Sequence, residues 1–351
     1  MRYRDAGVDV ERADAIKQAL TRAVESTWGP QVRRLRGGFA GVMGWPGARD
    51  SGTAAGGGPG GALLAASLDG VGSKLDLARR AGRLSEAAAD LVYHGANDLL
   101  VHGARPLAFL DYVAQARLET AVVLAVVEGL SRACREVGAA LLGGETAEMP
   151  DTYQPDVVDV AGCMIGWVAA EELLDGSAVR VGDLVLGLGS DGLHTNGFTL
   201  ARRVLERSGL ALEAPLPGGG GETVGAALLT PHRWYGPPLA QALAAGEVHA
   251  LAHVTGGGLA GNLVRVLPTG CRARLDLDSW PRPALFRWLI AAGDIPEDDA
   301  RSAFNLGIGM AVVCAPDRAR DLASGLRGRG ERVAEIGSIV PGTRGVEWVE
   351  R

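Results

Sequence analysis

The chain has 351 residues, 47% of them hydrophobic and 22% charged, and a formal net charge of -6. That length exceeds what one hydrophobic core usually supports, so two domains are expected. The acidic balance, the lack of long basic runs, the absence of a basic-then-apolar start and the lack of an uninterrupted apolar span predict a cytoplasmic protein with no nucleic-acid or membrane partner.

Residues 1–36 are polar, with a helix predicted around Val10–Glu25 and a glycine-rich turn at Gly37–Gly41. The small-residue stretch Gly47–Gly61 reads as a solvated loop. Periodicity then predicts a strand at Ala62–Leu68, a helix at Ser85–His102, a strand at Pro106–Ala114 and a helix at Glu119–Val137. A short strand at Ala139–Leu142 and a longer one at Val157–Val168 complete a first half. The second half opens near residue 170, with strands at Asp183–Leu188, His249–Val254, Phe304–Cys314 and Arg332–Ile339. Its helices are predicted at Gly197–Ser208, Leu239–Ala245, Leu259–Val266 and Asp317–Arg327, with a flexible loop at Pro215–Gly221. Neither half has the β-α-β rhythm of a doubly wound sheet, so the expected fold is α/β of the α+β kind, with domains at 1–169 and 170–351.

The four cysteines, Cys134, Cys163, Cys271 and Cys314, are far apart and form no C-x-x-C, as expected of buried reduced thiols. Lysine occurs only at Lys17 and Lys74, although Lys and Arg together number 35. Lys74 lies in D-G-V-G-S-K, where a strand end turns through Gly70 and Gly72 and a helix opens at Ser73. Such a turn offers backbone N–H groups to an anion, Lys74 adds a compact charge, and Asp69 is placed to hold a phosphate-bridging Mg2+. Read against a plain turn with a surface lysine, the two accounts are about even.

Asn97-Asp98 sits in an apolar helical stretch, where an acid is expensive to bury unless paired or metal-bound. Read alone, it fits the polar face of a helix slightly better. Gly143-Gly144-Glu145, with Glu148, follows a strand as a loop suited to a second shared metal or simply to an acidic surface. Asp111, inside F-L-D-Y, shares that ambiguity. Ser190, Asp191, His194, Thr195 and Asn196 crowd a strand-to-helix connection. They make no hydrolase triad, having no G-x-S-x-G elbow, and serve either as N-caps or as ligand contacts. Thr255 and Gly256–Gly258 form another turn before a helix, equally a phosphate cradle or a flexible turn. Asn305 begins an apolar strand. Together these point to two anion sites, one per half, with the carboxylates concentrated in the first.

The stretches Y-R-D-A-G-V-D (Tyr3–Asp9), G-G-F (Gly37–Phe39), D-G-V-G-S-K, N-D-L-L-V, F-L-D-Y, G-G-E-T-A-E-M-P (Gly143–Pro150), D-V-A-G (Asp159–Gly162), G-L-H-T-N-G, H-V-T-G-G-G and F-N-L-G-I-G-M (Phe304–Met310) run through nearly the whole chain. In that order they resemble the aminoimidazole ribonucleotide synthetase, or phosphoribosylformylglycinamidine cyclo-ligase, family of purine biosynthesis. The resemblance implies a homodimer pairing its N-terminal sheets. It implies ATP and Mg2+, with K+ as a further cation, in the first domain near the subunit interface, and formylglycinamidine ribonucleotide in the second. Lys74 would meet ATP phosphates, and Asp69, Asp98 and Glu145 would hold Mg2+. Gly37, Gly38, Gly70, Gly72, Ser73, Asn97, Asp111, Gly143 and Gly144 would complete the nucleotide site. Ser190, His194, Thr195, Asn196, Thr255, Gly256, Gly257, Gly258 and Asn305 would hold the substrate. Lys74, Asp98, His194 and His253 are the candidate catalytic residues, the general base unassigned between the two histidines.

Departures from the family pattern fall at Leu68, Ser73, Gly95-Ala96, His102, Arg105 and Asp191. They leave open a catalytically inactive nucleotide-binding paralogue. Among related ATP-dependent enzymes, selenophosphate synthetase needs an N-terminal Cys, whereas the first here is Cys134. The hydrogenase maturation protein ends in a cysteine and this chain ends in Arg351. The glutamine-dependent synthetase one step earlier and thiamine-phosphate kinase match the motifs less closely.

Overall fold

The computed structural model describes residues 1–2, 4–6, 16, 20–21, 23–35, 37–45 and 61–349. The Tyr3–Asp9 motif, the helix expected around Val10–Glu25 and the loop at Gly47–Gly61 lie largely outside them. The described residues form two mixed sheets of six strands each, one per half of the chain, with helices on their faces.

The first sheet runs β1 (Val32–Arg33), β2 (Gly41–Gly44), β3 (Ala62–Gly70), β6 (Val158–Ala169), β4 (Arg105–Gln115), β5 (Ala140–Glu148) in spatial order. Only β4 and β5 pair in parallel, joined through helix α3 (Thr120–Val137). Helices α1 (Lys74–Arg80) and α2 (Leu84–Leu100) complete this half. In β6 buried and half-buried residues alternate strictly along the strand, as a sheet covered on one face requires. The inner face lies under α2, which packs on β3, β4 and β6. At Gly95 the helix lies close to β6, because a Cβ there would stand 2.8 Å from Met164 Cβ. The outer face carries exposed apolar side chains, Leu68 at 74% and Leu110 at 40%.

The second sheet runs β12 (Gly345–Val349), β9 (Cys271–Asp276), β11 (Val333–Pro341), β7 (Leu184–Gly189), β10 (Ile308–Cys314), β8 (Ala250–His253). Only β12 and β9 pair in parallel. All seven residues of β10 are buried, matching its continuous apolar run. Flanking it are α4 (Phe198–Ser208), α5 (Val224–Leu228), α6 (Gly236–Ala244), α7 (Gly258–Leu263), α8 (Ala284–Gly293), α9 (Glu297–Ala303) and α10 (Pro316–Gly328).

The hydrophobic cores do not respect the halves. One joins Leu63, Phe109 and Met164 with Phe198, Phe286 and Phe304, and the other joins Phe39, Leu100 and Val101 with Leu251 and Val312. Three cysteines are buried, Cys163 is half-buried and all four are free. No described helix is long and apolar enough to cross a membrane.

Two expectations need correction. The strand expected to stop at Leu142 runs on to Glu148, so Gly143, Gly144 and Glu145 are strand and not loop. Glycine and acids are poor strand formers, but β4 supplies backbone partners, with the register shifting at Leu110/Gly143. The strand expected last, Arg332–Ile339, forms as β11 (Val333–Pro341) but is followed by β12.

Candidate functional site

The polar residues of α2 lie in one stripe. Asp90, His94 and Asp98 recur at i, i+4 and i+8, with Asn97 beside them, which places them on a single face of the helix. All four are buried, and each bonds to the second half. Asp90 Oδ1 accepts from the His232 N–H at 2.8 Å. His94 Nδ1 lies 2.7 Å from Thr195 Oγ1. Asn97 donates from Nδ2 to Arg233 O and accepts at Oδ1 from the Tyr235 N–H. Asp98 Oδ1 lies 2.8 Å from His253 Nδ1.

Asp69, at the end of β3, joins this seam. Its Oδ2 is 2.8 Å from His94 Nε2, and Oδ1 accepts from the Gly70 N–H at 2.7 Å. Ser67 Oγ donates to Asp98 Oδ2 at 3.0 Å, and His94 Nε2 lies 3.7 Å from that oxygen. Burial alone would raise both carboxyls, but the hydrogen bond and charge of His94, with His253 at Asp98, hold Asp69 and Asp98 below the usual carboxylate value. Burial disfavours charge on His94 too, yet the Asp98 and Asp69 carboxylates outweigh it and hold that imidazole above its ordinary value.

Lys74 is not a surface lysine. It is 1% exposed and pairs with Asp90. Its ammonium also donates to His194 O and Thr230 O, each at 3.1 Å. Three donors meet three acceptors, so the Lys74 head is saturated.

His194 has φ 63°, a left-handed conformation that costs a non-glycine residue about 1–3 kcal/mol. Both its ring nitrogens are buried without a partner. Its ring stacks on His232 at 4.0 Å, and His232 Nε2 lies 3.0 Å from His253 Nε2. Burial holds His194 and His232 well below the ordinary imidazole value, with the neighbouring cations adding to the effect. The Asn196 Oδ1 is buried and unpartnered as well.

The turns divide by role. Gly256–Gly258 opens α7; Gly257 and Gly258 have φ 91° and 66°, and a Cβ on Gly258 would stand 1.8 Å from Arg301 O. Only glycine fits there. Thr255 Oγ1 donates to Asn262 Oδ1 at 3.2 Å. Ser73 Oγ lies 3.1 Å from Thr199 Oγ1, linking the Gly70–Ser73 turn to α4. Arg265 clasps the Gly37-Gly38 turn from the second half, donating to both carbonyls. Asn305 ties Ser190, Gly192 and Gly307 together. Beside it opens a cleft of about 450 Å³ lined by Ser190, Asp191, Trp280 and Arg332.

The structure thus brings Asp69, Asp98, His194, Thr195 and His253 together, with Lys74 beneath them. Glu145 is not among them. Its register pairs it with Tyr112, one residue along from the Asp69–Gly162–Asp111–Gly144 row, so it faces the opposite side of the sheet from Asp69 and Asp111. Asp111 is half-buried on the inner face, and burial raises its carboxyl. Asp90, His94 and His232 escaped the sequence reading. The i, i+4, i+8 stripe was the available signal for the first two, while no local pattern marks His232.

Two departures find their reasons here. His102 accepts from the Phe39 N–H at Nε2 and faces Leu174 O at Nδ1. Asp191 accepts from both Arg233 and Arg332. Arg105 is exposed, pairs with Glu172 at 3.4 Å and lies over the Trp167 ring, and Leu68 is exposed on the outer face of the first sheet.

A seam that draws carboxylates, imidazoles and glycine turns from two packed sheets is the candidate active site of this α/β chain. The chain belongs to the AIR synthase related proteins, whose N-terminal domain matches residues 52–168 and whose C-terminal domain matches residues 180–350. It is 44% identical to the phosphoribosylformylglycinamidine cyclo-ligase of Nitrosococcus oceani over 97% of this chain and 92% of that protein. With the cyclo-ligase of Sorangium cellulosum the identity is 43%, over 96% and 95%. Among solved structures, thiamine-monophosphate kinase from Stenotrophomonas maltophilia shares the fold at TM-score 0.62 and 20% identity, covering 84% of this chain and 87% of that one.

Proposed function

We propose that this chain closes formylglycinamidine ribonucleotide to aminoimidazole ribonucleotide, using ATP and releasing ADP and phosphate. Identity of 44% to a curated cyclo-ligase over 97% of the chain carries the reading. A protein of the hydrogenase maturation type that shares this fold at TM-score 0.60 was solved with ATP, which supports the nucleotide. In the reaction the formyl oxygen takes the γ-phosphoryl group. A substrate nitrogen then attacks that carbon, and phosphate leaves. Such transfer asks the protein to position groups and neutralise charge.

On this reading residues 1–169 bind ATP and residues 170–351 bind substrate, in the cytoplasm. Mg2+ commonly takes one or two carboxylates and completes its shell with phosphates and water. Asp69 and Asp98 fit as those carboxylates, and the ion would supply charge neutralisation; K+ is a second proposed cation. Glu145 does not reach them within one chain. The bare outer face of the first sheet is the proposed homodimer surface, which would bring Glu145 to an interface. Lys74 holds His194 O and the 230–232 segment in place, and could meet a phosphate only by leaving Asp90. His194, neutral with both nitrogens unpartnered, is the proposed acceptor of the ring-closing proton. The Gly256–Gly258 turn is the proposed cradle for the 5′-phosphate.

The test is to incubate purified protein with formylglycinamidine ribonucleotide, ATP and Mg2+ and to measure aminoimidazole ribonucleotide and ADP together. Equal, substrate-dependent amounts are expected. ADP without the imidazole would assign another ATP-dependent reaction, and neither product from folded protein would leave a nucleotide-binding paralogue.

A further inference from the structure

We infer that Asp191 is a positioning residue for His194: it closes a ring of ion pairs that holds the turn carrying His194 against the segment carrying His232. The ring runs Arg332, Asp191, Arg233, Glu331. Arg332 Nη2 donates to Asp191 Oδ1 at 2.9 Å, Arg233 Nη1 donates to both Asp191 oxygens at 2.9 Å, and Arg233 Nη2 donates to Glu331 Oε1 at 2.8 Å. Glu331 and Arg332 are neighbours in the chain, so the ring closes through their peptide bond. Three parts of the second half meet in it: the turn after β7, the segment before α6 and the residues that lead into β11.

His194 has little of its own to hold it. Its ring nitrogens have no partner, and its φ of 63° is a conformation that persists only where the surroundings impose it. Its ring rests on His232, 4.0 Å away and nearly parallel at 19°, so the place of one ring depends on the place of the other segment. Asp191 lies three residues before His194, and Arg233 directly follows His232. Their bridge therefore sets the distance between the two segments beside the stacked rings. Lys74 supplies a second tie, to His194 O and Thr230 O. The entry to the turn is anchored as well, because Arg332 Nη2 donates to Ser190 O at 2.6 Å and the Tyr235 hydroxyl donates to Gly189 O at 2.9 Å.

An isolated ion pair on a surface contributes little, but a network of several charges contributes more. Glu331 is buried and Arg233 half-buried, so water screens this ring only in part. Burial disfavours charge on Arg233, yet Glu331 and Asp191 outweigh it and hold the guanidinium above its ordinary value. Asp191 is one of the positions where the chain departs from the family pattern, so the ring belongs to this chain. Its effect on turnover rests on the reading of His194 as proton acceptor. Its effect on where the His194 ring sits does not, so either can fail alone.

The experiment follows carbethoxylation of single histidines by diethyl pyrocarbonate in the folded full-length protein, read by peptide mass spectrometry, alongside kcat and KM. The reagent attacks neutral imidazole, the form in which burial holds His194, so its rate there reads access. In wild type His194 and His102 are both buried and should react slowly. Asp191→Ala should make His194 react about tenfold faster through local opening, while His102, whose bonds go to Phe39 and Leu174, keeps its rate. In the same variant kcat should fall about tenfold with KM for ATP within about twofold, as expected when a reacting group is displaced and nucleotide contacts are kept. Arg332→Gln, at the exposed end of the ring, should move His194 the same way by less, and it keeps the test open where Asp191→Ala does not fold. An unchanged His194 rate in both variants, or His194 and His102 quickened together, overturns the inference. Faster His194 with unaltered kcat upholds the ring and removes His194 as the proton acceptor. A wild type without cyclo-ligase activity overturns that reading alone, and the modification rates still decide the ring.

Discussion

The α2 stripe and the β5 edge are both acidic, and both carry candidate metal ligands, yet their surroundings are opposite. Asp90 and Asp98 are buried and every oxygen that faces the seam has a partner. Glu145 sits on an edge strand whose residues are mostly exposed, with Leu142 at 66%. A buried carboxylate without its partner is costly, whereas an exposed one loses little. Stability should therefore respond to the first region, while the second should matter to activity alone.

The largest effect is expected at the base of the seam. Lys74→Met leaves Asp90 buried without its cation and should cost about 3–5 kcal/mol, read as a lower urea midpoint. An unchanged midpoint would break the contrast. Next, Asp98→Asn keeps the shape but removes the charge facing His94 and His253. A fall in kcat of about 100-fold is expected, with near-wild-type kcat removing Asp98 from the site.

A smaller effect depends on pH. His94 is held above its ordinary value. Its stabilising contribution is complete below the free-imidazole value and is lost as pH rises through the folded value. The Tm gap between wild type and His94→Gln should be wider at about pH 6 than at about pH 9. A gap that is flat or widens with pH would reverse the sign. The smallest stability change belongs to Glu145→Gln, within about 0.5 kcal/mol. Its kcat should nevertheless fall if Glu145 serves the active site across a subunit interface, and an unaltered kcat would sharpen the comparison by excluding it.

Much of the first half was legible because its periods are strong. Helix α2 and strands β3, β4 and β6 lie within a few residues of their expected bounds. The region from Cys271 to Ala303 was not. There β9 alternates arginine with apolar residues, and α8 and α9 are short helices entered from prolines. Strand β5 was cut short because Gly143-Gly144-Glu145 has low strand preference, which backbone pairing overrode. For the site, motifs drew attention to Asp69, Asp98 and His194. The partners that define their chemistry lie far away in sequence, as His232 lies 142 residues from Asp90. Local pattern marks which residues are unusual; only packing says what they touch.

The shared cores have a consequence for how the chain comes apart. Because Phe198, Phe286 and Phe304 pack in one cluster with Leu63, Phe109 and Met164, and Phe39, Leu100 and Val101 pack with the second sheet, neither half retains a closed interior when cut near residue 170. A fragment of either half would expose aromatic and aliphatic surface and aggregate. The intact chain is expected to melt in a single cooperative transition, in which loss of one sheet takes the other with it.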